Sequence, residues 1–130
     1  MRRLFFLMMP ILLSSCEGED IVDNPTVDYR DGFVGNYSGW RYSSNWQMGQ
    51  PTVVTYDGPD TYTVVAVGDS FISLNGSDSI PISPSGEFIQ FSGGSSFYSV
   101  IFVAPDSLKV TNNSGGLGGG STTNFRGRKN

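Results

Sequence analysis

From Phe33 onward the chain is cut into short apolar or alternating runs by Gly, Pro, Asn, Asp and Ser at spacings of roughly ten residues, which constrains its fold more than any other feature. The runs predict strands over Phe33–Tyr42, Pro51–Tyr56, Thr61–Val67, Ser70–Asn75, Ser79–Ile82, Glu87–Phe91, Phe97–Ala104, Ser107–Thr111 and Thr123–Arg128. Between them, Asp57-Gly58-Pro59-Asp60, Gly68-Asp69, Asn75-Gly76, Pro84-Ser85-Gly86, Gly93-Gly94 and Pro105-Asp106 each offer turn chemistry, Gly by reaching positive φ and Pro by pre-setting φ. Tyr62, Val64 and Ala66 share one face of their run, as do Leu108 and Val110, so one face is buried and one is wet. Short consecutive strands joined by tight turns give an all-β antiparallel meander of eight or nine strands. To protect its edges it must close into a small barrel or, alternatively, fold into a β-sandwich. No helical period and no internal repeat is visible beyond residue 32.

Residue types that are missing narrow the chemistry. The chain has no histidine and one cysteine, Cys16. Ser-His-Asp and Cys-His nucleophilic sites, His/Cys zinc sites and histidine-ligated haem are therefore closed to it, and no disulfide can form within a monomer. No cofactor and no metal site is expected. At 130 residues the chain is long enough for one core and too short for two.

The N-terminus reads differently. Arg2 and Arg3 form a positive n-region and Leu4–Leu13 an apolar h-region, the anatomy of a secretory signal. Ten apolar residues reach roughly 15 Å as a helix, about half the hydrocarbon thickness, so the segment targets the chain without spanning a membrane. Leu13-Ser14-Ser15-Cys16 resembles the bacterial lipobox. That resemblance implies cleavage between Ser15 and Cys16 and a diacylglycerol on the Cys16 thiol, which becomes the first mature residue. Each buried acyl methylene contributes about 0.8 kcal/mol, so paired chains hold such a protein at a membrane.

Residues 1–15 are accordingly the leader, 16–31 a lipidated and acidic tether, and 32–130 the single β domain. The tether carries Glu17, Glu19, Asp20, Asp23, Asp28 and Asp31, half of the 12 acidic residues, and this self-repelling stretch buries little. Its start, Glu17, Glu19 and Asp20, is similar to the export signal of Bacteroidetes-type lipoproteins, implying an outer-membrane location open to the cell surface. Without Arg2 and Arg3 the 8 basic residues fall to 6, a formal charge of −6, which argues against nucleic acid as a partner.

Within the domain, Trp40, Tyr42 and Trp46, with Arg41 among them and Asn45 nearby, form the candidate ligand contact. Aromatic faces flanked by polar groups hold a sugar ring or another flat ligand. The bland alternative has Trp40 plugging a barrel end and Trp46 capping a loop. Phe71, Phe88, Phe91, Phe97, Tyr98 and Phe102 carry enough bulk to fill a small barrel, and whether a lumen remains is left open. The carboxylates Asp57, Asp60, Asp69, Asp78, Glu87 and Asp106 lie nearly all in turns and are not paired for acid–base work, so the chain is expected not to be an enzyme. Gly115–Gly120 is expected to be a mobile loop. Asp78-Ser79-Ile80 and Asp106-Ser107-Leu108 are similar to the short sequon used for O-glycosylation of exported Bacteroidetes proteins, which implies modification at Ser79 and Ser107.

Phe33-Val34-Gly35-Asn36-Tyr37 and Phe125-Arg126-Gly127-Arg128-Lys129 resemble the opening and closing strands of small lipocalin-like lipoproteins, though the first-strand Gly-x-Trp of true lipocalins is absent. The resemblance implies a compact barrel in which Phe33, Tyr37 and Phe125 pack inward. Three functions follow as expectations for a monomer on a lipid tether: a non-catalytic binding or accessory module contacting a glycan, a carrier of a small apolar ligand, or a structural envelope protein.

Overall fold

The computed structural model describes residues 26–77, 79–103 and 106–130. The expected leader, the cleavage and lipidation positions Ser15 and Cys16, most of the acidic tether, and Asp78 lie outside the described residues. A 3-10 turn, Tyr29–Gly32, leads into eight strands: β1 (Gly35–Gln47), β2 (Val53–Val67), β3 (Phe71–Leu74), β4 (Ser79–Pro81), β5 (Glu87–Phe91), β6 (Phe97–Val103), β7 (Ser107–Gly116) and β8 (Gly119–Lys129). All pair antiparallel in one sheet of order β4-β3-β2-β1-β8-β7-β6-β5. The sheet curls into a nearly closed barrel, with β4 and β5 as its two facing edges. The fold is thus the expected all-β antiparallel barrel, and a single sheet leaves no room for the sandwich alternative.

Two parts of the chain differ from the sequence expectation, each because a distant segment pairs with it. Asp57-Gly58-Pro59-Asp60 is not a turn but the middle of β2, paired with Tyr42 back to Gly39 on β1. Pro59 is tolerated there because β3 pairs with β2 only from Val64 to Val67, so around residue 59 β2 is an edge strand. The two predicted strands on either side of it are one, bent by a register shift at Ser43/Ser44. The Gly115–Gly120 segment is not a mobile loop either: β7 and β8 pair out to Gly116 and Gly119, leaving only Leu117-Gly118 as the turn. Asn75-Gly76 does turn the chain between β3 and β4, with φ of 53° and 70°.

Alternation sorts the side chains. Tyr37, Val64, Ile72, Ile82, Val100, Phe102, Leu108 and Phe125 form the buried interior, with Phe33 packed against it. Phe33 stacks on Phe102 at 4.6 Å and Tyr62 lies 4.4 Å from Phe125 between ring centroids. Of the six rings expected to fill the barrel, Phe88, Tyr98 and Phe102 turn inward or pack on the core. Phe71, Phe91 and Phe97 do not enter it: Phe91 is 79% exposed, and the half-buried Phe97 packs beside it at 6.2 Å between ring centroids. The interior is therefore filled at one end and incompletely filled at the other.

The filled end is sealed by the 3-10 turn. Asp28 caps it by accepting the Arg30 backbone N–H, and the Tyr29 hydroxyl donates to the Ile82 carbonyl at 2.9 Å. Arg30 is buried beneath, where Nη1 donates to the carbonyls of Val67, Gly68 and Phe71 and Nε to Asp28. One guanidinium thus ties the N-terminal turn to the β2–β3 connection. The Arg30 side chain, then its backbone N–H, hold the Asp28 carboxyl below the usual carboxylate range. Since the folded value is depressed, Asp28 adds stability above that range and loses it as pH falls through the depressed value. The thermal midpoint is expected to drop more steeply below pH ~4 in the native chain than in Asp28→Asn, read by circular dichroism. Parallel curves would show that the seal contributes nothing.

Candidate functional site

Successive residues of a strand point to opposite faces, and this separates the sequence-predicted contact residues. Trp40 and Tyr42 stand on the outer face of β1 and Trp46 projects further along it, exposed by 55%, 37% and 37%. The Trp40 indole Nε1 donates to Asp57 Oδ1 at 2.6 Å, which fixes the ring against the neighbouring strand. Trp46 is held differently. Gly115 and Gly120 sit beneath it, and a Cβ on Gly120 would come 2.8 Å from the Trp46 Nε1, so the bare backbone of β7 and β8 is the seat of this indole. Trp40, outward and 55% exposed, does not plug the barrel, whereas Trp46 lies on the β7–β8 hairpin near its Leu117-Gly118 turn.

Arg41 does not join them. It lies on the other face, its guanidinium 4.1 Å over the Tyr56 ring and its Nε 3.0 Å from Asp60 Oδ2. The contact with Asp60 is charge–charge in character, since the buried Nε–H has no aligned acceptor. Asp57 and Asp60, neighbours in sequence, are therefore engaged on opposite faces of β2. Of the modification candidates, Ser79 is exposed at the start of β4, whereas Ser107 is half-buried at the start of β7 and donates to Asp106 Oδ1 at 3.3 Å.

Two larger concavities flank this framework, besides a smaller one of about 430 Å³ between Trp46 and Pro51. The first lies on the outer face of β1, β8 and β7, about 480 Å³ in volume, lined by Trp40, Lys109, Arg126, Arg128, Ser38 and Ser107. The register builds it in two rows: Trp40 opposite Arg126 opposite Lys109, and Ser38 opposite Arg128 opposite Ser107. Sequence reasoning missed its three cations. The Arg126-x-Arg128 spacing puts both on one strand face, but only the pairing of β8 with β1 and β7 brings Trp40 and Lys109 beside them.

The second concavity is the unfilled end of the barrel, a cup of about 530 Å³. Tyr62, Leu74, Ile80, Tyr98 and Val110 line it with apolar surface, and Asn75, Ser77, Gln90, Asn112 and Thr123 with polar groups. Burial pushes the Tyr98 phenol up to about 12, with a smaller contribution from Tyr62, so it stays a neutral hydrogen-bond donor in ordinary conditions. The cup opens away from the end sealed by Arg30. Among the described residues no three His, Cys, Asp or Glu side chains converge as metal ligands, and no helix is long and apolar enough to cross a membrane.

The fold and its outer face thus define an eight-stranded antiparallel barrel, sealed at one end and carrying an aromatic row along its first strand. The chain matches no protein-family model, no curated protein and no solved structure.

Proposed function

We propose that this protein is a lipid-anchored module of the cell envelope that binds a glycan through the outer face of β1, without catalysis. The observation that carries the reading is the row Trp40, Tyr42 and Trp46. These are large aromatic rings exposed along a single strand, two of them immobilised by Asp57 and by the glycines of β7 and β8. Rings of this kind offer wide contact area at little entropic cost, and an exposed aromatic row on a small domain marks a contact surface. A strand of a barrel holds them more rigidly than a loop would.

The anchor half of the proposal rests on Leu13-Ser14-Ser15-Cys16. A tether starting at Cys16 enters the domain at its sealed end, beside Asp28 and the 3-10 turn, and so leaves the aromatic row and the cup free of the membrane. A second reading is favoured by the cup itself, whose volume falls in the range of small-molecule sites. In that reading the barrel carries a small ligand with its apolar part toward Leu74 and Val110 and its polar part toward Asn75 and Asn112.

Two measurements on native protein test the proposal. Its intact mass is expected to be that of a chain beginning at Cys16 plus acyl groups, and an unmodified thiol would overturn the anchor. Tryptophan fluorescence titrated with neutral and acidic polysaccharides is expected to shift with at least one of them. Trp40→Ala is expected to weaken that binding by about 30-fold, the scale of a buried aromatic hot spot. Binding unaffected by Trp40→Ala would remove the aromatic row from the account.

A further inference from the structure

We infer that the glycan bound at this face is anionic, a sugar chain bearing carboxylate or sulfate groups, and that Lys109, Arg126 and Arg128 read its charge. The inference rests on the glycan reading above and names the class of ligand. Its first support is an unbalanced cluster. Arg126 is directly opposite Lys109 across β8 and β7, and Arg128 stands two residues along the same face. Like charges opposed in a sheet destabilise it. Among the described residues the only ion pairs are Arg30 with Asp28 and Arg41 with Asp60, so none of the three cations has a carboxylate within ion-pair distance. Arg30 and Arg41 are thus neutralised and Lys129 donates its Nζ–H to the Gly32 carbonyl, while the three cations of this outer face are left clustered without a carboxylate.

The second support is what lies beside them. Trp40 is directly opposite Arg126 on β1, and its ring is held by Asp57. Ser38 and Arg128 stand opposite one another in the next outward row, so the only side chain between Trp40 and the edge of the surface on β1 is a small hydroxyl-bearing one. The depression of about 480 Å³ therefore offers an aromatic face, two guanidinium groups, an ammonium, and the hydroxyl-bearing residues Ser38 and Ser107 within one contiguous surface. That set suits a pyranose stacked on Trp40 with its acidic substituent on Arg126, since a guanidinium takes a carboxylate or sulfate through two parallel N–H bonds. Nucleic acid, with its phosphodiester backbone, fits less well, because a body with 12 acidic residues would repel a long charged strand reaching beyond three cations.

The test titrates the full-length protein, in non-ionic detergent, by tryptophan fluorescence with oligogalacturonate, chondroitin sulfate oligosaccharides, dextran, and mixed micelles carrying phosphatidylglycerol. At least one acidic oligosaccharide is expected to bind tenfold or more tightly than dextran, with affinity falling as salt rises. Arg126→Gln and Lys109→Gln are each expected to weaken it roughly tenfold, the scale of one charge-assisted hydrogen bond. Arg126→Lys is expected to recover only part of the loss, because the paired N–H geometry is gone. All three side chains point outward, so circular dichroism should show these variants folded. Dextran binding as tightly, with Trp40→Ala damaging and Arg126→Gln silent, would overturn the anionic inference and leave the glycan reading intact. No binding to any oligosaccharide would overturn both. Tighter binding to phosphatidylglycerol micelles, lost in Lys109→Gln, would assign the face to a lipid surface and overturn the inference.

Discussion

Phe125→Ala is expected to destabilise the barrel by about 3–5 kcal/mol, the usual cost of removing a buried aromatic ring. Phe125 is among the largest fully buried side chains and sits on β8, where it faces Val110 across one strand pair and Arg41 across the other. Its ring packs on Tyr62 and lies over Gly127, where a Cβ would meet the ring edge. The surrounding groups are therefore fixed from three strands and cannot collapse into the space a methyl leaves. Domains of this size are stable by about 5–15 kcal/mol, so the variant should sit near the edge of folding. Urea unfolding followed by circular dichroism reads the effect as a lowered midpoint at unchanged slope. A loss under about 1 kcal/mol would show that the interior tolerates a void at its centre.

Gly39→Val is expected to be as damaging, by overcrowding instead of a cavity. A Cβ at Gly39 would overlap the Arg126 carbonyl oxygen and the Gly127 Cα, both backbone atoms with no side-chain freedom to yield. The pair Gly39–Gly127 lies within the β1–β8 ladder, the seam that joins the first strand to the last. Overpacking of this kind costs about 1–3 kcal/mol and more where backbone must move. Because the seam carries the outer face, the variant should also lose ligand binding in proportion to the folded fraction. Gly116→Ala is the neutral comparison, since nothing lies within 4 Å of an added Cβ there. Near-native stability of Gly39→Val would mean that β1 and β8 do not approach as closely as described.

Much of the barrel is legible in the sequence, because alternation and turn chemistry are local. The alternation of Tyr62 with Val64 and of Leu108 with Val110 marks inward residues, and Asn75-Gly76 marks a turn by its tolerance of positive φ. What was not legible depends on pairing between distant segments. Asp57-Gly58-Pro59-Asp60 carries every mark of a turn, and it is straightened only by β1 along one side and by the absence of a partner on the other. The glycines from 115 to 120 look like slack chain until Trp46, nearly seventy residues earlier, is seen lying on them. The same holds for the site. Trp40, Arg41 and Tyr42 are adjacent in sequence, yet alternation alone sends Arg41 to the opposite face, to Asp60 and Tyr56. The cations that do flank Trp40 come from β7 and β8, and no local pattern announces that register.

On the function proposed above, the outer face of β1, β8 and β7, not the cup, is where this protein meets its ligand. Nitrogen–proton correlation spectra during titration with the tightest-binding oligosaccharide separate the two directly, since each surface carries its own side-chain reporters. The Trp40 indole N–H and the Arg126 Nε–H signals are expected to move while the side-chain amides of Asn75, Gln90 and Asn112, which line the cup, stay in place. Movement of those three amides with Trp40 and Arg126 unchanged would contradict it.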